Sequence, residues 1–482
     1  MAGRRHLARL VGGGALLAAL LAGGGLYGAT RTMPCDTTEV TASIGNSPTR
    51  GPGLDRMTIV LVGDAGFNAT DAQVDAKGWH KGKAVTPFAD MTSGIAKDID
   101  GDLAFVNLET VVTDRNDLRP EKKGGGDKDA PFHFRSHPAA VKALIDLGFN
   151  LFSLANNHAS DYGAPGIEET LYHLAIANTE RAIAFAGIGS NFEEAIKPAC
   201  LNLDGTRVGF DAIGIITGDY QRYRATDKSA GQASYRNRPD FEAVVNKLTA
   251  LPADYRILSI HYGLEGRVVP DDRQLDEWRG FAVGEKGIDL IVGHHPHVAQ
   301  GVELDGKSLI FYGLGNFLHP GTTEMTRFGP CRDYGLMAKV HLARIDGAWR
   351  VEAIEAIPLT NTQTHPERFA AKEAELRINA LNHLAAGLDD EPKGAKGVRF
   401  TPQSDGSGLY CADGAAALGG KIGTLCKDWL PAAEPMKPVA DRIAQACQDK
   451  PFYGQPAIAK RRTPQRRDAG PSPFPFGGLR QF

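Results

Sequence analysis

Five mainly apolar runs in the first two thirds of the chain are each followed by polar side chains that can bind a metal ion. Apolar runs of this length that end at a loop are typical of buried strands. Because open α/β sheets bind their ligands at the carboxyl ends of strands, we predict that the side chains after the five runs lie close together. The runs and the side chains that follow them are residues 59–62 with Gly63-Asp64, residues 105–108 with Glu109, residues 151–155 with Asn156-Asn157-His158, residues 257–260 with His261, and residues 288–292 with Gly293-His294-His295-Pro296-His297.

Stretches with a helical rhythm of apolar and polar residues lie between these runs. Residues 138–147 begin with Pro138 and end before Gly148, which predicts a helix with proline in its first turn. Residues 241–248 follow Asp240, a candidate N-cap, and residues 166–177 and 273–283 show the same rhythm. Strands that alternate with helices predict a layered α/β architecture.

A different pattern appears towards residue 360. Residues 336–345 and 349–357 alternate apolar and polar positions on either side of Asp346-Gly347, a dipeptide that favours a tight hairpin turn. The hairpin adds antiparallel strands to the predicted sheet. We therefore expect a mixed β-sandwich with helices outside it, rather than a purely parallel sheet.

The first thirty residues have the composition of an export signal. Arg4, Arg5 and Arg9 precede an uncharged stretch from residue 10 to residue 29, as in the basic and apolar regions of a signal peptide. A stretch of about twenty residues is also long enough to remain as a membrane anchor. We therefore expect an exported protein, either anchored in the membrane and facing away from the cytoplasm, or periplasmic or secreted if the leader is cleaved.

Composition divides the rest of the chain into four parts. Residues 31–56 form a polar linker, and residues 57–360 carry the alternating strands and helices. Residues 361–450 are predicted to form a small helical C-terminal extension that contains cysteines. Residues 451–482 are basic and then rich in Pro and Gly, which predicts disorder.

Charge and cysteine usage narrow the class of protein. The net charge of the 482-residue chain is −3 and its body has no long basic run, so we expect no nucleic-acid partner. None of the six cysteines has the CxxC spacing of a metal site. In an exported protein an even number of cysteines favours disulfides, while free buried thiols remain an alternative.

The side chains after the five runs determine the chemistry that they can support. Carboxylate, amide oxygen and imidazole suit Mn²⁺, Zn²⁺ or Fe, and the lack of cysteine in these loops excludes a thiolate zinc site. Two ions bridged by one carboxylate would bind a phosphoryl group and generate hydroxide near neutral pH. A histidine that is not a ligand could then protonate the leaving oxygen.

Six motifs follow one another in order between residue 57 and about residue 359. They are Gly63-Asp64, Asn107-Leu108-Glu109-Thr110, Ala155-Asn156-Asn157-His158 with Asp161-Tyr162-Gly163, His261-Tyr262-Gly263-Leu264-Glu265, Gly293-His294-His295-Pro296-His297 and Tyr312-Gly313-Leu314-Gly315-Asn316-Phe317. The set and its order resemble the CapA family of poly-γ-glutamate capsule biosynthesis proteins. The resemblance implies a calcineurin-like metallophosphatase fold, an α/β four-layer β-sandwich flanked by helices.

The resemblance also implies roles for individual residues. Asp64 would bind a first metal ion and Glu109 would bridge two ions. Asn157, His261 and His295 would hold the second ion, and His297 would bind the first ion. His158 would be the general acid, with Asp161 orienting it, although a purely structural hydrogen bond in a tight turn is the alternative for His158. Glu265 and Asn316 would shape the site through hydrogen bonds.

One position departs from the well-studied metallophosphatases, which begin with Asp-x-His. The residue two positions after Asp64 is Gly66, so the first ion would have one protein ligand fewer. The ion could bind weakly, the centre could hold a single ion, or a nearby group could complete the site. We expect His294 to be structural, because in an extended backbone its side chain points away from that of His295.

These observations predict a CapA-like protein of capsule or cell-envelope polymer biosynthesis that acts as a metal-dependent phosphoesterase or related hydrolase. Its cofactor would be one or two divalent ions. Its partners would be a cell-envelope polymer or phosphoester substrate, the membrane through the N-terminal segment, and other capsule-synthesis proteins. Two alternatives remain, a general exported phosphodiesterase or phosphatase, and a non-catalytic envelope scaffold for polymer export in which the metal loops only stabilise the fold.

Overall fold

The computed structural model describes residues 54–67, 73–121, 132–216, 220–322, 325–389 and 395–449. The predicted leader, most of the predicted linker and the predicted disordered tail lie outside these residues. Within the described ranges, no helix has the length and apolar character needed to cross a bilayer.

The strands are numbered here in chain order. They are β1 (Arg56–Ala65), β2 (Trp79–Lys81), β3 (Ala84–Thr86), β4 (Leu103–Leu108), β5 (Val111–Val112), β6 (Arg135–Ser136), β7 (Leu151–Ser153), β8 (Ala184–Ala186), β9 (Ile188–Gly189), β10 (Ala199–Leu203), β11 (Thr206–Gly214), β12 (Gly231–Gln232), β13 (Tyr255–His261), β14 (Leu290–His294), β15 (Val302–Asp305), β16 (Ser308–Phe311), β17 (Asn316–Leu318), β18 (Gly335–Ile345), β19 (Ala348–Thr360), β20 (Glu367–Arg368), β21 (Lys396–Gly397), β22 (Thr401–Pro402) and β23 (Gly408–Cys411).

The α-helices are numbered in the same way. They are α1 (Phe88–Met91), α2 (Pro138–Leu147), α3 (Gly163–Glu180), α4 (Phe192–Ala195), α5 (Tyr220–Tyr223), α6 (Arg238–Ala250), α7 (Asp272–Gln274), α8 (Ala371–Ala386), α9 (Gly420–Cys426) and α10 (Lys437–Ala446). A π-helix, Leu275–Glu285, continues α7, and short 3-10 helices span Ser93–Asp98, Thr326–Phe328 and Ala415–Leu418.

Two large mixed sheets form the centre of the protein. In the first, the strand order is β22-β23-β19-β18-β1-β4-β7-β8, with β17 paired to β1 and β20 paired to β19. In the second, the order is β10-β11-β13-β14-β16-β15-β21. Strand β1 runs parallel to β4 and antiparallel to β18, whereas β11, β13, β14 and β16 run parallel to one another. The prediction of mixed rather than purely parallel sheets is therefore confirmed.

The facing sides of the two sheets share one hydrophobic core. On β1, Ile59 and Leu61 point into this core, while the alternate residues Val60 and Val62 point to the other face. Phe210 on β11 meets Phe105 on β4 edge to face, with ring centroids 5.9 Å apart. Strands buried on both faces require nearly continuous apolar sequence, which explains why these runs do not alternate with polar residues.

Helices cover the outer face of each sheet. Helices α2 and α3 pack Leu144 and Leu171 against the first sheet. Helix α6 and the π-helix pack Val244, Trp278 and Phe281 against the second. The result is the predicted four-layer arrangement of helix, sheet, sheet and helix.

The predicted local elements compare closely with the observed ones. Helix α2 has the predicted bounds and ends at Gly148, whose φ of 125° suits glycine. The predicted hairpin is β18 and β19, joined through Asp346 and Gly347 with φ of 51° and 80°. The predicted N-cap Asp240 is wrong, because α6 begins at Arg238, and the carboxylate of Asp240 instead pairs with Arg224.

The C-terminal extension packs onto both sheets rather than beside them. It contains helices α8, α9 and α10, and it also contributes β23 to the edge of the first sheet and β21 to the edge of the second. Ile378 and Leu381 of α8 belong to the core between the sheets. The extension therefore completes the edges of the sandwich.

One disulfide ties this extension to the rest of the protein, and another lies within it. Cys331 is bonded to Cys447 and Cys411 to Cys426, and Cys200 is also disulfide-bonded. No described cysteine is free, which decides against buried free thiols for this part of the chain.

The two described disulfides are expected to stabilise the protein unequally. The Cys331–Cys447 bond closes a loop with a sequence separation of 116 residues, whereas Cys411–Cys426 closes one of 15. Chain-entropy estimates give about 4.7 kcal/mol for a loop of the first size and about 3 kcal/mol for the second. Denaturant unfolding of the two paired Cys→Ala variants measures the difference. Equal losses of unfolding free energy would contradict the loop-length argument.

Candidate metal centre

The predicted metal-binding side chains come together at the carboxyl ends of the parallel strands. Asp64 lies at the end of β1, Glu109 directly follows β4, and His261 is the last residue of β13. His295 and His297 follow β14 in the next loop. Because these strands belong to both sheets, the side chains meet at the edge of the sandwich where the two sheets face each other.

Glu109 is the central side chain of this cluster. Its Oε1 lies 3.5 Å from Nε2 of His261, and its Oε2 lies 3.9 Å from Nδ1 of His297. Two groups of possible ligands share it, with ligand atoms within 4.8 Å of one another: Glu109 with His261 and His295, and Asp64 with Glu109 and His297. A carboxylate that bridges two ions requires this arrangement, in which each of its oxygens faces a different group of ligands.

Asn157 joins the first of these groups. Its Oδ1 lies 2.6 Å from Nε2 of His261, so the amide oxygen faces the same space as the imidazole. We call the six side chains Asp64, Glu109, Asn157, His261, His295 and His297 the metal centre. The structure brings all six together, and their role as ligands stays a prediction.

The loop after β14 has an unusual backbone. His295 and His297 have φ of 92° and 56°, a region that non-glycine residues rarely adopt and that costs about 1–3 kcal/mol at each position. The chain is therefore not extended at these two residues, which removes the reason for expecting the His294 and His295 side chains to point apart. A structural role for His294 stays a prediction. Nδ1 of His294 lies 3.1 Å from Oδ1 of Asp64.

Several buried polar atoms of the cluster lack hydrogen bonds within the described part of the chain. They are both carboxylate oxygens of Glu109, Nε2 of His294, and Nδ1 of His295. A buried carboxylate without a partner is costly, and such orphaned atoms call for a missing ligand. Oxygen and imidazole donors around these atoms suit a divalent ion, so the residues present fit the metal that was predicted.

Burial sets the protonation of the cluster. It raises the pKa of Glu109 well above its usual range, lowers that of His261 well below its usual range, and lowers that of His295 to about 4. Burial opposes ionisation of Asp64 as well, but His294 and His297 hold its pKa well below the usual range. Two of the imidazoles are thus kept neutral, which is the form that binds metal.

His297 behaves differently from these two imidazoles. Burial would lower its pKa, but Glu109 and Asp64 outweigh that effect and raise the pKa to about 10. Beside these two carboxylates, a metal ion therefore competes with a proton for His297.

His158 and Asp161 form a pair beside the metal centre. Nδ1 of His158 lies 2.8 Å from Oδ2 of Asp161, and its Nε2 lies 3.9 Å from Oε1 of Glu109. Asp161 is itself held by the backbone N–H of Phe134, which donates to Oδ2 at 2.6 Å. The carboxylate thus fixes the ring so that the opposite nitrogen faces the metal centre.

The sequence matches the family model of the bacterial capsule synthesis protein PGA_cap over residues 58–320. The chain belongs to this family. It is 33% identical to the capsule biosynthesis protein CapA of Bacillus anthracis over 205 residues, which are 42% of this chain and 47% of that protein. It is 31% identical to the PGA biosynthesis protein CapA of Bacillus subtilis (strain 168) over 216 residues, 43% of this chain and 52% of the relative. The chain thus spans about half the length of the curated relatives that it matches.

Solved structures show weaker similarity. The calcineurin-like phosphoesterase YfkN of Bacillus subtilis has a TM-score of 0.37 and 14% identity, and it covers 65% of this chain and 93% of its own. The sulfate thiohydrolase SoxB of Thermus thermophilus has a TM-score of 0.31 and 13% identity, over 71% of this chain and 62% of its own. Similarity at this level carries no argument about the chemistry of this capsule synthesis family member.

Two asparagines from the family motifs make hydrogen bonds to residues of the metal centre. Asn107 donates from Nδ2 to Oδ1 of Asp64 at 2.8 Å, and Oδ1 of Asn316 lies 2.9 Å from Nδ1 of His297. Asn316 thus makes the shaping hydrogen bond that was expected. Glu265 is exposed and acts on His295 and His297 through its charge.

His319 is a buried residue of the site that the sequence reasoning missed. Its Nε2 lies 3.6 Å from Oε2 of Glu109. A signal for it did exist, because His319 directly follows the apolar pair Phe317-Leu318 at the end of β17, as the other site residues follow their strands.

Gly63 allows β1 and the segment before β17 to approach closely. A Cβ at Gly63 would lie 1.8 Å from the carbonyl oxygen of Gly315, so Gly63→Ala must push the two segments apart. We expect a loss of about 3 kcal/mol in the free energy of unfolding, the upper part of the range for overpacking. Gly280→Ala is the matched control, since no atom lies within 4 Å of its added Cβ. Thermal and denaturant unfolding compare the two variants, and equal stability would contradict the close approach.

Proposed function

We propose that the protein is a metal-dependent phosphoesterase or related hydrolase that acts in the biosynthesis of capsule or of another cell-envelope polymer of the poly-γ-glutamate type. The observation that carries the catalytic part is the bridging position of Glu109. Its two buried oxygens face two different groups of ligands, and no donor within the described residues makes a hydrogen bond to either oxygen. A structural carboxylate would ordinarily have such donors.

Six side chains would hold the ions. Asp64, Glu109 and His297 would hold one, and Glu109, Asn157, His261 and His295 would hold the other. Divalent ions in such a site stabilise negative charge on a phosphoryl oxygen and lower the pKa of bound water. Asn107 keeps Asp64 in place through the hydrogen bond from its Nδ2.

His158 would handle the proton of the leaving group. Asp161 holds Nδ1, which leaves Nε2 as the nitrogen that can give a proton to a substrate beside Glu109. The ring of Phe134 packs against His158 with centroids 4.2 Å apart, so water is excluded from one face of the imidazole. Asp161 has no exposed surface and acts as a positioning residue for His158.

The disulfides support an extracytoplasmic setting. Disulfides persist in oxidising compartments and are rare in the cytosol. Both described bonds lie in the C-terminal half of the chain. Cys331–Cys447 holds the extension onto the sandwich, and Cys411–Cys426 lies within the extension. In that setting the protein would meet a cell-envelope polymer or a phosphoester, other capsule-synthesis proteins, and the membrane through its N-terminal segment.

The test is a combined measurement of metal content and hydrolysis on the purified full chain. Elemental analysis counts the ions. Chromogenic phosphodiester, phosphomonoester and γ-glutamyl anilide substrates are offered with and without added Mn²⁺ after treatment with a chelator. We expect about one or two ions per chain and turnover of a phosphoester that depends on metal. Folded protein with neither metal nor turnover would overturn the enzyme proposal and favour the envelope scaffold.

A further inference from the structure

The two groups of the metal centre differ in the number of side chains that they offer. The second ion would have four, namely Glu109, Asn157, His261 and His295, whereas Asp64, Glu109 and His297 give the first ion three. Gly66, two positions after Asp64, contributes no side chain. The first ion therefore needs a further protein ligand if the two positions are to be equally well held.

The pairing of β17 with β1 brings one more imidazole to this position. Asp64 is in register with Asn316 and Ala65 with Leu318, in parallel orientation. The backbone N–H of Gly66 donates to the carbonyl oxygen of Leu318 at 2.9 Å. The next residue, His319, is thereby placed directly beside Gly66.

The absence of a side chain at Gly66 leaves room for the ring of His319. A Cβ at Gly66 would lie 3.1 Å from Nε2 and 3.2 Å from Cε1 of His319. Such contacts are tighter than nine in ten that real Cβ atoms make, so a larger residue at position 66 would push the ring aside by a few tenths of an ångström. The imidazole thus occupies the space into which a side chain at position 66 would project.

The surroundings of His319 are those of a ligand rather than of a structural histidine. The side chain has no exposed surface, and neither ring nitrogen makes a hydrogen bond with another residue in the described ranges. Nε2 lies 3.6 Å from Oε2 of Glu109, the same oxygen that faces His297. A buried imidazole with both nitrogens unpaired is costly unless it binds something.

The position of the ring is fixed from several directions. The ring of Phe134 meets it edge to face at 4.9 Å, and the backbone N–H of His319 donates to the carbonyl oxygen of Thr362 at 2.8 Å. The His297 ring lies 6.1 Å away, centroid to centroid, so the two imidazoles can face one ion between them. A ligand held this firmly loses little conformational freedom when it binds a metal.

We propose that His319, the residue after β17, is a ligand of the ion held by Asp64, Glu109 and His297, and that it supplies the donor that position 66 does not. The inference rests on the proposed metal centre and names a ligand outside it. With His319 as a ligand, the first ion needs no side chain from position 66, so a glycine there is compatible with metal binding.

The test measures metal binding rather than turnover. The full chain and its His319→Leu variant are stripped with a chelator, reloaded with Mn²⁺ or Zn²⁺, and studied by elemental analysis and titration calorimetry. His341→Leu is the matched control, since His341 is also buried in the first sheet but contacts Glu355 and Thr58 instead of the metal centre. Thermal unfolding in chelator establishes that each variant folds, and His319→Gln replaces His319→Leu if the latter does not.

Because the inference provides four side chains for each of two ions, we expect two ions in the wild-type chain and in the control. In the His319 variant one of the two ions should be lost or bound at least about 100-fold more weakly. Removal of a group that only supports a ligand costs up to about 100-fold in metal affinity, and removal of a ligand itself should cost at least as much. Two ions of unchanged affinity in the variant would overturn the role of His319 and leave the proposed function intact. A wild-type chain that binds no ion would overturn both.

Discussion

Glu109→Gln is expected to abolish metal binding at both positions of the metal centre. Glu109 is shared by the two groups of ligands, so its replacement removes one charged donor from each ion. The amide of glutamine has nearly the same shape but no negative charge to balance two divalent cations. The loss of affinity should exceed the roughly 10- to 100-fold that follows removal of a group supporting a ligand. Elemental analysis after reloading the stripped protein measures it.

The same substitution should have the opposite effect on the metal-free fold. Glu109 has no exposed surface, and burial raises its pKa well above the usual range, which reflects the cost of ionising it there. Without metal, the neutral amide removes that cost, so Glu109→Gln should be at least as stable as the wild type in chelator. Added Mn²⁺ should stabilise only the wild type, because an ion that binds the native state alone shifts the unfolding equilibrium.

Two outcomes would contradict this prediction. A Glu109→Gln protein that keeps both ions would show that the carboxylate does not bridge them. A variant that loses metal only because it unfolds in chelator would show that Glu109 is part of the structural framework instead. Asp146→Gln serves as a control for the loss of a carboxylate, because Asp146 is exposed on α2 and pairs with Lys142.

His158→Asn is expected to lower turnover by about 100-fold or more while the metal content stays the same. General acid catalysis by one side chain is typically worth 100- to 10,000-fold. Asparagine cannot supply a proton near neutral pH, and the six side chains of the metal centre remain in place. Steady-state kinetics with a substrate that has a poor leaving group measures the loss of turnover, and elemental analysis measures the metal content.

A second comparison distinguishes proton transfer from a structural role for His158. A substrate whose leaving group needs no proton should be hydrolysed by His158→Asn nearly as fast as by the wild type. Asp161→Asn should also slow turnover of the substrate with the poor leaving group, because it weakens the orientation of the His158 ring. His173→Asn is the control, because His173 is a partly buried histidine on α3. Loss of metal from His158→Asn would instead make His158 a ligand.

Much of the site could be predicted from the sequence because its residues follow strands. Asp64, Glu109 and His261 stand at the ends of apolar runs, and parallel strands bring such ends to one edge. The hairpin of β18 and β19 was predictable for a similar local reason, because Asp346-Gly347 suits backbone with positive φ. Local periodicity and turn chemistry are therefore sufficient for these parts.

The remaining features depend on contacts between distant parts of the chain. His319 approaches Glu109 only because β17 pairs in parallel with β1, and no local pattern specifies that partner. His295 and His297 adopt a positive φ, which their sequence does not demand, and His294 contacts Asp64 of the other large sheet. Asp240 resembles an N-cap, but its carboxylate is used by Arg224 once the chain has folded. Tertiary contacts outweighed the local signal in each case.

The position of β1 in the first sheet has a consequence for the order in which the protein folds. Its neighbour on one side is β18, with Arg56 opposite Ala343, so one edge of this central strand stays unpaired until most of the chain has been synthesised. Pairings between such distant segments form slowly, because a long loop must close before any contact is gained. The first sheet should consequently be completed only late in folding, after β18 has been made and has joined β1.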